Sequence, residues 1–111
     1  MHIGDLDGVS ILINESRWYA VVTITVHDQD ETAVSGATVS GSWSSGATGS
    51  GSVFTDELGQ CSFTMSNLKS NVSSVTFTVD DVILTGYTYM PDNNYDPDGE
   101  SDGTTIIVNQ P

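Results

Sequence analysis

Arg17-Trp-Tyr-Ala-Val-Val-Thr-Ile-Thr-Val-His27 reads with a period of two. Trp18, Ala20, Val22, Ile24 and Val26 fall on one face, and Tyr19, Val21, Thr23, Thr25 and His27 on the other. Successive side chains of a strand point to opposite faces of its sheet, so this alternation predicts a half-buried β-strand over 17–27. The same pattern recurs at Ala37, Val39, Gly41 and Trp43, set against Thr38, Ser40 and Ser42. It returns at Val75, Phe77 and Val79, set against Thr76 and Thr78. β-branched Val, Ile and Thr suit a pleated surface. No segment keeps apolar residues at i, i+3 and i+4 for three turns, so no helix longer than one turn is expected.

Turn-forming residues divide these runs. Asn14-Glu-Ser16, Asp28-Gln-Asp-Glu-Thr32, Ser44-Ser-Gly-Ala-Thr-Gly-Ser-Gly51 and Asp56-Glu-Leu-Gly59 are rich in the residues that turns select. Strands are predicted at 9–13, 17–27, 37–43, 52–55, 60–66, 74–79, 82–90 and 104–109. Seven to eight short strands at this spacing predict an all-β, immunoglobulin-like two-sheet antiparallel sandwich, with 1–111 as one domain. Trp18, Val22, Ile24, Val39, Trp43, Phe63, Val75 and Phe77 are the predicted core.

The chain of 111 residues carries 15 acids against two bases, Arg17 and Lys69, for a formal charge of −13 at pH 7. That balance argues against nucleic acid, whose phosphates are bound by Lys and Arg. It argues equally against anionic membrane surfaces, and no run approaches the ~18 apolar residues of a membrane span. No basic, apolar signal segment precedes Gly4, so Met1 is expected to begin an excised module. Self-repulsion of this size works against compactness. Bound divalent cations or a salty medium would relieve it. Cys61 is the single cysteine, which rules out an intrachain disulfide. It alternates with Phe63 and Met65, and is expected to be buried and structural rather than reactive.

The densest chemistry lies in the acidic loop 91–103, Pro91-Asp-Asn-Asn-Tyr-Asp-Pro-Asp-Gly-Glu-Ser-Asp-Gly103. Asn94, Asp96, Asp98, the main-chain oxygen of Glu100, and Asp102 stand at alternate positions around Gly99. Hard oxygens at that spacing are how a tight loop collects Ca²⁺. The twelfth position is Thr105 rather than a bidentate Glu, and no helices are expected on either side, so the loop departs from an EF-hand. Asp5-Leu-Asp-Gly8 is a second, shorter motif of the same kind. Asp5 and Asp7 would complete the coordination if the first strand starts beside the acidic loop, an adjacency that sequence alone leaves open. An ordinary solvated turn has the same composition.

Elsewhere the chain is poor in reactive groups. Asp28, Asp30 and Glu31 read as a solvated acidic turn. His2 and His27 are the only histidines, and no second histidine or cysteine stands at metal-ligand spacing from His27, which argues against a transition-metal site. There is no Gly-x-Ser-x-Gly elbow and no evident cleft to tune a carboxylate pair, so catalysis is not expected. Tyr87 and Tyr89 would share the face of a strand over 82–90, as in aromatic rows that stack sugar rings. The competing reading is that they pack over a sheet edge with hydroxyls in water.

Thr23-Ile-Thr-Val-His-Asp-Gln-Asp-Glu-Thr-Ala-Val-Ser-Gly-Ala-Thr-Val39, followed by Thr55-Asp-Glu-Leu-Gly-Gln-Cys61, resembles bacterial Ig-like repeats of the invasin/intimin type. The likeness covers about residues 20–79. The flanks, Met1 to Gly8 and Asp96 to Gly103, are similar to the ends of accessory domains on secreted bacterial hydrolases such as subtilisin-like proteases. What the resemblance implies is a non-catalytic accessory or adhesion-type module of a larger secreted bacterial protein, at the cell surface or outside the cell; the acidic loop adds the expectation that it is calcium-stabilised. Its partners would be the parent catalytic or surface domains and an extracellular glycan or protein. The alternative is a carbohydrate-binding module of a secreted enzyme.

Overall fold

The computed structural model describes residues 1–99 and 101–111. Seven strands follow in order: β1 (His2–Asn14), β2 (Arg17–His27), β3 (Thr38–Ser44), β4 (Gly49–Phe54), β5 (Gln60–Lys69), β6 (Ser74–Ile83) and β7 (Thr105–Asn109). The only helical element among the described residues is a single 3-10 turn, Pro91–Asn93. One sheet has the order β1-β2-β5 and the other β4-β3-β6-β7, with every pairing antiparallel. The fourth strand thus stays with the third instead of crossing to the fifth. The result is the two-sheet, immunoglobulin-like sandwich that period-two patterning predicts.

The inner faces close a core that contains all eight residues singled out by alternation. β2 lies centrally in its sheet, and its burial alternates along its whole length. Phe77 packs between Trp43 and Phe63, with ring centroids 5.0 and 4.8 Å away. Gly41 makes this possible, because a Cβ there would stand 2.1 Å from the Phe77 ring. Trp18 is fully buried, and its indole N–H is shared between the Lys69 and Val72 carbonyls, each at 3.2 Å. A buried indole needs such a partner. Thr55 is similarly buried and satisfied: its hydroxyl donates to Val34 O at 2.7 Å and accepts from Ala37 N–H at 2.9 Å.

Two elements differ from the sequence pattern. β1 begins at His2 rather than near residue 9, because a bulge at Gly4 breaks the period: Ile3 pairs with Val26, but Asp5 pairs with Thr25. Ile3 and Leu6 are both buried across that bulge, so the apolar spacing is three and hides the strand. At the other end, no strand spans 82–90. β6 instead runs through Asp80 and Asp81 to Ile83, with a register shift that leaves Asp80 unpaired opposite β3. Gly86 then adopts φ +89° and ends the extended run.

Candidate metal centre

The chain between β6 and β7, residues 84–104, carries the acidic loop and folds back onto the start of β1. Backbone and side-chain hydrogen bonds seat it. Met90 N–H donates to Met1 O at 2.8 Å, and Tyr95 N–H donates to Ile3 O at 3.1 Å. Between them the Asn94 carboxamide oxygen accepts the Ile3 N–H at 2.7 Å. The Asn94 amide group donates in turn to the Tyr89 hydroxyl at 2.7 Å and to Thr104 Oγ1 at 3.0 Å. Gly103 closes the loop against its own start, so near that a Cβ would lie 2.5 Å from Tyr95 N.

This seating brings four of the predicted site residues together. Carboxylate oxygens of Asp5 and Asp7, on one face of β1, and of Asp96 and Asp98, in the loop, all lie within 4.8 Å of one another. Opposite ligands around Ca²⁺ are separated by about 4.8 Å when each bond is ~2.4 Å, so the four oxygens are close enough to share one calcium ion. Asp5 Oδ1 is shielded from solvent and has no hydrogen-bond partner among the described residues. Burial, then a side-chain hydrogen bond with Asp96, holds the Asp5 carboxyl above its ordinary value of 3.8. A cation between the carboxylates would favour their charged form and oppose that rise.

The other predicted ligands have different work. Asn94 spends its oxygen on Ile3 N–H and both amide protons on hydroxyls, which makes it the loop's anchor. Asp102 Oδ1 accepts the N–H groups of Thr104 at 2.9 Å and Thr105 at 2.7 Å, and these bonds, Thr105 first, keep its carboxyl below the usual 3.8. Neither joins the four-carboxylate group. Glu100 lies outside the described residues. Within the loop, Asp96 is oriented by Ser101, whose hydroxyl donates to Asp96 Oδ2 at 3.0 Å.

A second cluster has no signal in the linear sequence. The β1–β2 register sets His2 opposite His27, 25 positions away along the chain. Glu31 joins them from the turn after β2: its Oε1 is 3.0 Å from His2 Nε2, and its Oε2 is 3.1 Å from His27 Nδ1. Tyr95 donates its hydroxyl to the same Oε2 at 2.9 Å. That bond, then the one to His27, lowers the Glu31 carboxyl pKa, while the Tyr95 phenol is raised. The acidic turn is therefore not simply solvated. Asp28 Oδ1 accepts the N–H groups of Thr32 and Asp30; these bonds, Thr32 first, hold its own carboxyl low and shape the turn that presents Glu31.

Cys61 is buried, and desolvation first, with nearby Asp56 second, pushes its thiol up to about 11. Tyr87 and Tyr89 do not share a strand face. Tyr87 is exposed beyond Gly86, whereas Tyr89 packs against the core with its hydroxyl engaged by Asn94. No helix among the described residues is long and apolar enough to cross a membrane.

Residues 17–89 match the family model of the bacterial Ig-like domain (group 1). No curated protein and no solved structure matches the chain. The matched span contains β2 to β6 and stops short of both halves of the four-carboxylate cluster.

Proposed function

The chain belongs to the bacterial Ig-like domains of group 1, and from that premise we propose that it serves as a calcium-braced, non-catalytic accessory or adhesion-type module of a larger secreted bacterial protein. Its role is mechanical, as a spacer, stabiliser or binding appendage outside the cell or on its surface. The observation that carries the calcium assignment is the convergence of Asp5, Asp7, Asp96 and Asp98 from opposite ends of the sequence. Four carboxylates so close repel strongly unless a divalent cation or protons neutralise them. Ca²⁺ suits them better than Mg²⁺, since it accepts six to eight oxygens in flexible geometry, whereas Mg²⁺ requires a tight octahedron.

A cation here fastens the loop to β1 and so joins the two sheets at one corner. Affinity in the range of extracellular modules, on the order of 10⁻⁴–10⁻³ M, is sufficient outside the cell. At tenfold excess over Kd the native state gains about 1.4 kcal/mol, or roughly 5 °C in Tm. Thermal melts in EDTA and in millimolar CaCl₂, at fixed ionic strength, test the assignment. The rise should vanish in an Asp96→Asn/Asp98→Asn variant and be small with MgCl₂. An unchanged midpoint, or an equal rise in the double variant, would leave only a solvated acidic loop.

A further inference from the structure

We propose that His2, His27 and Glu31 form a second, chemically distinct cation site, selective for Zn²⁺ or a neighbouring first-row transition metal over calcium. The set offers two imidazoles and one carboxylate, the donor types such metals prefer and Ca²⁺ does not. One ligand atom from each lies within 4.8 Å of the others. Glu31 meets the two imidazoles through its two oxygens, Oε1 at 3.0 Å from His2 Nε2 and Oε2 at 3.1 Å from His27 Nδ1, so one carboxylate reaches both rings.

An independent observation points to a ligand. His2 is 5 % exposed, and its Nε2 is sealed from solvent yet makes no hydrogen bond among the described residues. It stands 3.0 Å from Glu31 Oε1 without hydrogen-bond alignment. Buried polar nitrogens in native proteins are almost always satisfied, and an orphan one calls for a missing partner. A metal between Nε2 and the carboxylate supplies that partner.

The backbone is arranged to hold this geometry. Gly4 leaves room for the His27 ring, since a Cβ there would lie 2.1 Å from His27 Nδ1. Glu31 occupies the left-handed region at φ +62°, a conformation costly for a non-glycine residue and typical of positions over-determined by their surroundings. The Asp28 turn enforces it and points the carboxylate back at both rings. Tyr95 then fixes Glu31 Oε2 from outside, as hydrogen-bonded supports of metal ligands commonly do. Glu31 is 49 % exposed at its side chain, which gives a metal a route in. The site stands apart from the proposed calcium cluster, although Tyr95 is the neighbour of Asp96.

The test is Zn²⁺ titration calorimetry on the chain free of affinity histidines, in saturating CaCl₂, with Co²⁺ absorption as a coordination probe. One Zn²⁺ per chain is expected, and Co²⁺ should develop the intense visible bands of low-coordinate nitrogen ligation. Affinity should fall at least ~100-fold in His27→Gln and in Glu31→Gln, since loss of a ligand exceeds loss of a ligand's support. Glu31 lies on an exposed turn, so that variant stays folded even if a strand substitution does not. Binding should persist in Asp96→Asn/Asp98→Asn. No Zn²⁺ binding, binding indifferent to both His27→Gln and Glu31→Gln, or binding lost in the aspartate double variant would each overturn the proposal.

Discussion

The Asn94 side-chain oxygen accepts the backbone N–H of Ile3 at 2.7 Å, joining residues 91 positions apart. That one bond occupies a group on the free edge of β1 that would otherwise face solvent. With Tyr95 N–H on Ile3 O, it places the acidic loop alongside β1 as a surrogate strand. The face of β1 bearing Asp5 and Asp7 and the loop bearing Asp96 and Asp98 are held in register by this contact.

Asn94→Ala should therefore cost roughly 2–4 kcal/mol, because three hydrogen bonds are lost and Ile3 N–H is left without its acceptor. Asn94→Asp should retain most of the stability, since its oxygen still accepts from Ile3 while the Tyr89 and Thr104 hydroxyls turn to donate. Urea melts of the two variants check this. Equal losses would show that Asn94 is not the anchor.

Gly103 combines φ +86° with a backbone approach to Asn94 and Tyr95 that no Cβ can enter. Gly103→Ala should destabilise by roughly 2–3 kcal/mol. Gly99 has φ +75° but open space around it, so Gly99→Ala should cost only about 1 kcal/mol. The comparison of the two Tm values separates steric conflict from backbone strain.

Asp102 provides the pH signature. Its carboxyl is depressed by the Thr105 and Thr104 N–H groups, so its contribution is fully present above the unfolded value and disappears as pH falls through the lower folded value. Asp102→Asn should be less stable than the parent by about 1 kcal/mol at neutral pH. The difference should stay constant down to pH ~4 and close below it. A gap that persists into stronger acid would assign the effect to shape rather than charge.

Cys61 is buried with a thiol pKa of about 11, so almost no thiolate exists at neutral pH. Native protein should resist a disulfide-exchange reagent and react at the rate of a free thiol only once unfolded in guanidinium. Rapid labelling without denaturant would place the thiol outside the core.

Much of the fold was legible because its strands bury one face. Trp18 to Val26, Val39 to Trp43 and Val75 to Val79 each alternate without interruption, and each is a strand with the predicted face inward. β1 was legible only in its second half, since the Gly4 bulge sets Ile3 and Leu6 three apart and erases the period. Val82 to Met90 misled in the opposite direction: its residues favour strands, but Gly86 and the bonds of Asn94 turn the chain away. The four carboxylates were visible as two motifs, Asp5-x-Asp7 and Asp96-x-Asp98. Their adjacency depends on where β1 starts, which local pattern cannot supply. The His2–His27 pairing is set by strand register and was not visible at all.

The edge that the loop covers has a further significance. β1 is the outer strand of its sheet, and past the covered residues it displays Val9, Ile11, Leu12 and Ile13, all exposed. An open strand edge flanked by apolar side chains is a template for pairing with another chain. While the loop is seated, part of that template is capped, and the charge of −13 keeps copies apart. On the proposed calcium binding, chelation in high salt should weaken both protections together, because the loop loses its brace and the field is screened to a few ångströms. On that account the acidic loop is expected to guard this edge against aggregation, so that its seating should show in colloidal stability as well as in the thermal midpoint.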